Sequence, residues 1–355
     1  MIKRIVVITT GGTIAMKQDA TAGGAVPTLV GHDFLSTLPD GLAEIELQEH
    51  CNLPSAHFTL ETVWALKERV AAAVARPEVD GVILTHGTDV MEESAYLLDL
   101  TVPGDKPVVL TGAMRTVSDL GYEGYANLAA ALRVAADDQA CGLGTLVVMN
   151  NDIHAARFVT KTHTLSLSTF QSPDRGPLGR VDGDRVVVAQ RVSRQLIQCQ
   201  AWEPNVALIK LTVGMDEGFL RYALAQGVRG VVLEALGGGR IPPWWLPTVR
   251  QAIDSGVAVV IASRCLSGRA WDGYGYAGAY KELHSLGALF ADNLNGPKAR
   301  IRLMCVLGAA ETAADVPDLW VYGTPPATAA SSTVERLRDL GNRLLRSLQR
   351  EPRQA

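Results

Sequence analysis

Short apolar, β-branched runs alternate with longer amphipathic stretches along this chain, and that alternation constrains the fold more than any other feature. A strand that is apolar on both faces needs covering on both faces, which crossover helices over a mostly parallel sheet supply. The runs at 4–9, 81–85, 107–111 and 145–150 read as such strands, and three of them end in threonine beside a glycine. Between them, 62–75, 92–100 and 123–137 carry helical periodicity. A second pattern of the same kind begins near Val206, with strand runs at 206–212, 230–235 and 257–263.

The expected class is therefore α/β. A larger N-terminal parallel-sheet domain, flavodoxin- or Rossmann-like, spans 1–190, and a smaller C-terminal α/β domain spans 206–317. The aperiodic stretch 191–205 reads as a linker. From 318 to 355 we expect a peripheral appendage ending in a basic helix at 334–350, most simply a solvated face. With 355 residues, 47% hydrophobic and 20% charged, the chain has material for two cores.

Composition excludes several classes. A net charge of -4, with Lys and Arg spread out, leaves no footprint for nucleic acid. No run approaches the roughly 18 apolar residues of a membrane span. The apolar run at 5–8 is too short for a signal peptide and meets Thr9-Thr10-Gly11-Gly12, so a mature, soluble, cytoplasmic protein is expected. Five cysteines stand singly, without a C-x-x-C pair, and His86 lacks the second histidine of an H-E-x-x-H helix. No metal is expected.

In an open parallel sheet, ligands sit beyond the carboxyl ends of the strands. Three strand-end segments there carry hydroxyls, a carboxylate and exposed N–H groups: Thr10-Gly11-Gly12-Thr13-Ile14-Ala15, Thr85-His86-Gly87-Thr88-Asp89 and Thr111-Gly112-Ala113-Met114-Arg115. Taken alone, the first is a tight turn in which Thr13 caps a helix. It lacks the third glycine of a dinucleotide site and the Gly-Lys-Ser/Thr of a P-loop, and the chain has no G-x-S-x-G. A threonine nucleophile needs a base, and a lysine held neutral by burial is one source. Lys161, isolated in Thr160-Lys161-Thr162-His163-Thr164, is the candidate, although most lysines are solvated surface residues.

Together these segments resemble the bacterial asparaginase/glutaminase family. Residues 10–15 resemble its first signature and 81–100 (GVILTHGTDVMEESAYLLDL) its second. Further likeness lies at 111–115, 159–162, Gly176-Pro177-Leu178-Gly179 and 294–300 (LNGPKAR), so that it covers about 3–307 in order. The resemblance implies that Thr13 attacks an amide to form an acyl-enzyme. It implies that Thr88 is the second hydroxyl, Lys161 its base, and Asp89 the carboxylate holding both the lysine and the substrate ammonium. The backbone N–H of Thr88 and its neighbourhood would meet the oxyanion, and Ser55 the substrate α-carboxylate. No cofactor is implied. The resemblance further implies a small-molecule amide as partner and a site completed across an interface of a homodimer or dimer-based tetramer.

Four positions depart from the family pattern. Ala25 stands where relatives carry a loop tyrosine, and Ala56 where they carry Gln or Glu for the substrate amino group. Tyr280 falls where the neighbouring subunit's glutamate is usual, and either replaces the lost phenol across an interface or simply packs there. Tyr274 and Tyr276 are weaker alternatives. Arg240 replaces an asparagine, and its guanidinium either pairs with a carboxylate of substrate or protein or is solvated at the rim. L-Asparagine hydrolysis is the leading expectation. Glutamine or a succinamate-like amide, and a catalytically weak aspartate or asparagine binder, are the alternatives. An amidotransferase role is disfavoured because the first signature begins at Thr10.

Overall fold

The computed structural model describes residues 2–28 and 41–323. In chain order come β1 (Lys3–Thr9), a hairpin of β2 (Met16–Asp19) and β3 (Gly24–Pro27), β4 (Ala43–Glu49) and helix α1 (Leu60–Ala75). Strands β5 (Gly81–Thr85), β6 (Val108–Thr111) and β7 (Thr145–Met149) then alternate with helices α2 (Met91–Thr101) and α3 (Gly124–Ala136). Five short strands follow: β8 (Asp152–Ala155), β9 (Thr160–Lys161), β10 (Phe170–Gln171), β11 (Gly179–Asp182) and β12 (Arg185–Val188). The main sheet has eight strands in the order β12-β11-β8-β7-β6-β5-β1-β4. From β4 to β7 every neighbour is parallel, and β8, β11 and β12 extend the sheet antiparallel.

Strand alternation divides the apolar residues between two layers. Ile5, Val7, Ile83, Val109, Leu146 and Val148 pack beneath α3, whereas Val6, Ile8, Val82, Leu84, Leu110 and Val147 pack beneath α1 and α2. Each such fully buried side chain contributes about 1.5–3 kcal/mol. Helix α1 buries Leu66, Val70, Ala73 and Val74, one face at helical spacing. It begins two residues before the periodicity does, because the Thr59 hydroxyl accepts the Thr62 N–H. Strand β6 starts one residue after the expected point because Pro107 has no N–H to give; its carbonyl still accepts from Val82 at 2.9 Å.

The second sheet has four parallel strands in sequence order, β13 (Val206–Lys210), β14 (Gly230–Ala235), β15 (Ala258–Ser263) and β16 (Leu289–Phe290). Helices α4 (Gly218–Ala225) and α5 (Leu246–Asp254) cover one face. After α6 (Tyr280–Leu286), helices α7 (Gly296–Ala309) and α8 (Val316–Tyr322) cover the other. The chain is thus α/β in both parts, as the alternation requires.

Helix α2 belongs to both layers. Met91, Ala95 and Leu98 face the first sheet, and Tyr96, Leu97 and Leu100 pack with α7 in the core of the second. A helix packed on both sides has no solvated face to give up. The expected linker, 191–205, is without regular structure but is pinned. The Ile197 N–H donates to Leu100 O at 2.7 Å, and the Arg194 guanidinium donates to the carbonyls of Leu98, Asp99, Val102 and Gly104 at the C-terminal end of α2. The expected appendage begins inside a packed element: α8 runs across 318, Trp320 is 5% exposed, and its indole N–H donates to Phe290 O. The basic helix expected at 334–350 lies outside the described residues.

Candidate active site

The site is built at the carboxyl ends of β1 and β5, which are paired so that Thr9 lies beside Thr85. Leaving β1, the chain turns through Gly11 and Gly12 at φ 91° and 83°, conformations that any side chain would strain. A Cβ at Gly12 would stand 2.5 Å from the Gly87 Cα, and one at Gly11 2.5 Å from the Leu53 N. The turn therefore rests directly on the backbone that leads to Thr88. Thr10 closes it, its hydroxyl donating to Thr85 O at 2.9 Å.

Thr13 opens a three-residue 3-10 turn, Thr13–Ala15, whose cap position is Gly12. Its hydroxyl is thus not a helix cap, and it has no hydrogen-bond partner among the described residues. Tyr122 fixes the next residue: its phenol donates to Ile14 O at 2.7 Å, and burial raises its pKa above the ordinary tyrosine value. The phenol is proton-bearing and already engaged. No local pattern in the sequence marks this tyrosine, which acts across 108 positions.

After β5, Thr88 is 6% exposed and Asp89 leads into α2. Lys161 Nζ donates to Thr88 Oγ1 at 2.9 Å and to Asp89 Oδ1 at 2.8 Å. Rather than sitting alone in an apolar pocket, Lys161 is ion-paired, with side-chain exposures of 19% for the lysine and 62% for the aspartate. Ser55 is buried, and its hydroxyl oxygen accepts the Asp89 N–H at 3.2 Å, leaving its proton to be donated elsewhere. Gly87 and Gly112 are obligatory here. A Cβ at Gly87 would stand 2.6 Å from Ser55 Oγ, and one at Gly112 2.5 Å from His86 O and 3.5 Å from Thr88 Cγ2. The Thr88 N–H has no acceptor among the described residues.

His86 shapes this loop from inside. It is fully buried, its Nδ1 bonds Gly87 O at 2.6 Å, and burial pushes its pKa from 6.5 down to about 4, so the ring is neutral.

The LNGPKAR segment holds the lysine in place. Asn295 caps α7 with its side-chain oxygen, while its amide donates to Glu92 Oε1 at 3.3 Å and Thr160 Oγ1 at 3.4 Å. Glu92 in turn accepts the Lys161 N–H at 3.3 Å. Lys298, buried, donates to Arg157 O at 3.2 Å and to Val159 O. Burial pushes its pKa to about 8. These bonds clamp β9, which the motif alone does not reveal.

Two expected residues lie elsewhere in the chain. Arg240 Nε is ion-paired with Asp272 Oδ2 at 3.0 Å, and its guanidinium lies 4.7 Å from the Tyr274 ring centroid. Of the alternatives open for Arg240, the fold realises a protein carboxylate. Asp272, 5% exposed, also accepts the N–H groups of Tyr274 at 3.0 Å and Tyr280 at 3.4 Å. The Tyr280 ring packs on Phe290 at 4.4 Å and His284 at 5.6 Å. Within one chain, neither Arg240 nor Tyr280 bonds Thr13, Thr88, Asp89 or Lys161. Ala25 lies in the β2–β3 hairpin opposite Gln18, and Ala56 is exposed beside Ser55.

Comparison with known proteins agrees with this architecture. Residues 4–194 match the family model of the asparaginase N-terminal domain, and 205–319 that of the glutaminase/asparaginase C-terminal domain. The L-asparaginase of Bacillus licheniformis is 35% identical over 312 residues, 87% of this chain and 97% of that protein. A probable periplasmic L-asparaginase of Haemophilus influenzae is 33% identical, over 85% of this chain and 88% of the relative. A glutamyl-tRNA(Gln) amidotransferase component of Methanosarcina acetivorans is 30% identical, over 86% of this chain and 74% of the relative. The chain belongs to the asparaginase/glutaminase family and is a hydrolase acting on amides.

Proposed function

We propose that this enzyme hydrolyses L-asparagine to L-aspartate and ammonia through an acyl-enzyme on Thr13. The observation that carries this reading is Lys161 Nζ bridging the Thr88 hydroxyl and the Asp89 carboxylate, on a loop that the Gly12 turn beside an unengaged Thr13 hydroxyl rests against. In this reading, Asp89, largely exposed, takes the substrate ammonium, and Ser55 donates its hydroxyl proton to the α-carboxylate. Thr13 Oγ1 attacks the side-chain amide carbon, and the oxyanion accepts the Thr88 N–H. The proton from Thr13 reaches the departing nitrogen, which leaves as ammonia. Water then attacks the acyl ester beside Thr88, which Lys161 holds in place, and its proton returns to Thr13 Oγ1 as aspartate is freed.

A second reading rests on Ala56, which supplies no partner for an amino group beside Asp89. In it the preferred amide lacks the α-amino group, as succinamate does. Ammonia release from asparagine, glutamine and succinamate at equal concentration tests both. Asparagine turned over fastest supports the first; a strong preference for succinamate replaces it with the second.

We place the working enzyme in the cytoplasm, where its five free thiols suit a reducing compartment. We also propose a homodimer or dimer-based tetramer, with the exposed Trp271, Tyr274 and Tyr276 at the interface, all about half exposed in the single chain. Light scattering on a size-exclusion column gives the mass; a monomer at micromolar concentration contradicts the assembly.

A further inference from the structure

A cavity of about 380 Å³ lies at the C-terminal end of α2, opposite the end that carries Asp89, and is walled by Asp99, Arg157, Arg175, the linker and Arg302. Four arginines line it, Arg157, Arg175, Arg191 and Arg302. Among the described residues their partners are neutral. Arg302, 3% exposed, donates to Tyr96 Oη at 3.4 Å, Gln195 Oε1 at 3.0 Å and the Trp320 carbonyl. Arg157 donates to Tyr96 Oη and Asn293 Oδ1, both at 3.4 Å. Arg191 donates to the carbonyls of Cys141 and Gln139, and Arg175 lies 5.5 Å from the Phe158 ring centroid.

The carboxylate in the wall is already taken, since Asp99 is ion-paired with Arg194 at 3.2 Å. Behind the cavity, the fully buried Lys298 donates to Arg157 O, with Glu92, Asp99 and Glu93 acting on its charge. The buried Arg302 guanidinium has no counter-charge among the described residues, which is costly, and the half-buried Arg157 and the exposed Arg175 and Arg191 add like charge around the same cavity unless an anion enters. The planar fork of arginine fits carboxylate and phosphate oxygens two at a time.

We propose that this cavity binds a small metabolite carrying two or more phosphate or carboxylate groups. The site is separate from the amide-hydrolysing centre but joined to it. Arg157 lies four residues before Lys161, and Asp99 is on the helix that follows Asp89. An anion drawn onto Arg157 would tighten the strand that presents Lys161, so the ligand is placed to modulate hydrolysis from the far end of α2.

The test is calorimetric titration of the full chain with inorganic pyrophosphate and, separately, with citrate, at low and high salt. We expect saturable binding of at least one, one per chain, with Kd below about 1 mM at low salt and weaker at high salt. Pyrophosphate binding the tighter assigns a phosphate ligand, and citrate the tighter a carboxylate one. Arg175 and Arg191 are both exposed, so an Arg175→Ser/Arg191→Ser variant keeps the fold and should bind at least tenfold more weakly. Arg221→Ser, on the surface of α4, should bind as wild type does. No saturable binding of either anion, or equal weakening in both variants, overturns the proposal. Because the readout is binding, it stands or falls separately from the assignment of asparagine as substrate.

Discussion

In the proposed mechanism, the chemistry depends on who holds each hydroxyl. Thr88 is held by Lys161, while Thr13 is held by nothing among the described residues. Replacing Lys161 with Met should therefore remove the partner of Thr88 and the counter-ion of Asp89 together. We expect kcat to fall at least hundredfold, with a melting temperature within a few degrees of wild type because the ion pair is partly solvated. Ammonia assays and thermal melts on the same preparation check this, and activity within a few-fold of wild type would contradict it. Tyr122 acts one step further out. Tyr122→Phe should cost about 1 kcal/mol of stability for the lost bond to Ile14 O and lower kcat several-fold by loosening the turn, without changing which amide is preferred. An unchanged kcat in a steady-state assay would show that the turn needs no such anchor.

At the scale of elements, three glycine-mediated backbone contacts join the strand-end loops, Gly11 on Leu53, Gly12 on Gly87 and Gly112 on His86. Gly12→Ala would force a Cβ to 2.5 Å from Gly87 Cα at a positive φ, so we expect a loss of about 2–3 kcal/mol in urea unfolding and near-complete loss of activity. A variant as stable and active as wild type would place the loops differently. The strands around this turn were legible in the sequence because both their faces are covered, which leaves a continuous apolar run. Strand β4 was not, since its alternating Ala43–Glu49 is half-buried at a sheet edge and reads like a surface segment. The antiparallel strands β8, β11 and β12 are four residues each, too short for a periodicity to establish itself. Within the site, Thr13, Thr88, Asp89 and Lys161 could be found as motifs in order along the chain. Tyr122, and the clamp of Asn295 and Lys298 on β9, could not, because their work is done on carbonyls and side chains more than 100 residues away. Tyr280 and Arg240 were legible as departures, yet one chain ties them to Asp272.

Across the whole molecule, buried titratable groups set the acid limit of the fold. Burial pushes His86 and His154 from 6.5 to about 4, so both are neutral when folded and protonate more readily when unfolded. Their contribution is fully present above pH 6.5 and is lost as pH falls through 6.5 toward 4, on the order of 3 kcal/mol each. Glu93 and Asp99, which burial pushes upward, act in the opposite sense, so the histidine effect is isolated by comparison. His154→Gln should flatten the fall in urea-unfolding free energy between pH 6.5 and 4 by up to one proton; parallel curves for variant and wild type would contradict this. Helix α2 is the shared structural member, packed into both cores with Asp89 before one end and the arginine cavity at the other. The central claim remains chemical, and one comparison addresses it most directly: ammonia release from asparagine by wild type and by Thr13→Ala at equal protein concentration. The account predicts turnover by wild type and a loss of at least a thousandfold in the variant, with its melting temperature unchanged. Equal ammonia release by the two proteins would contradict it.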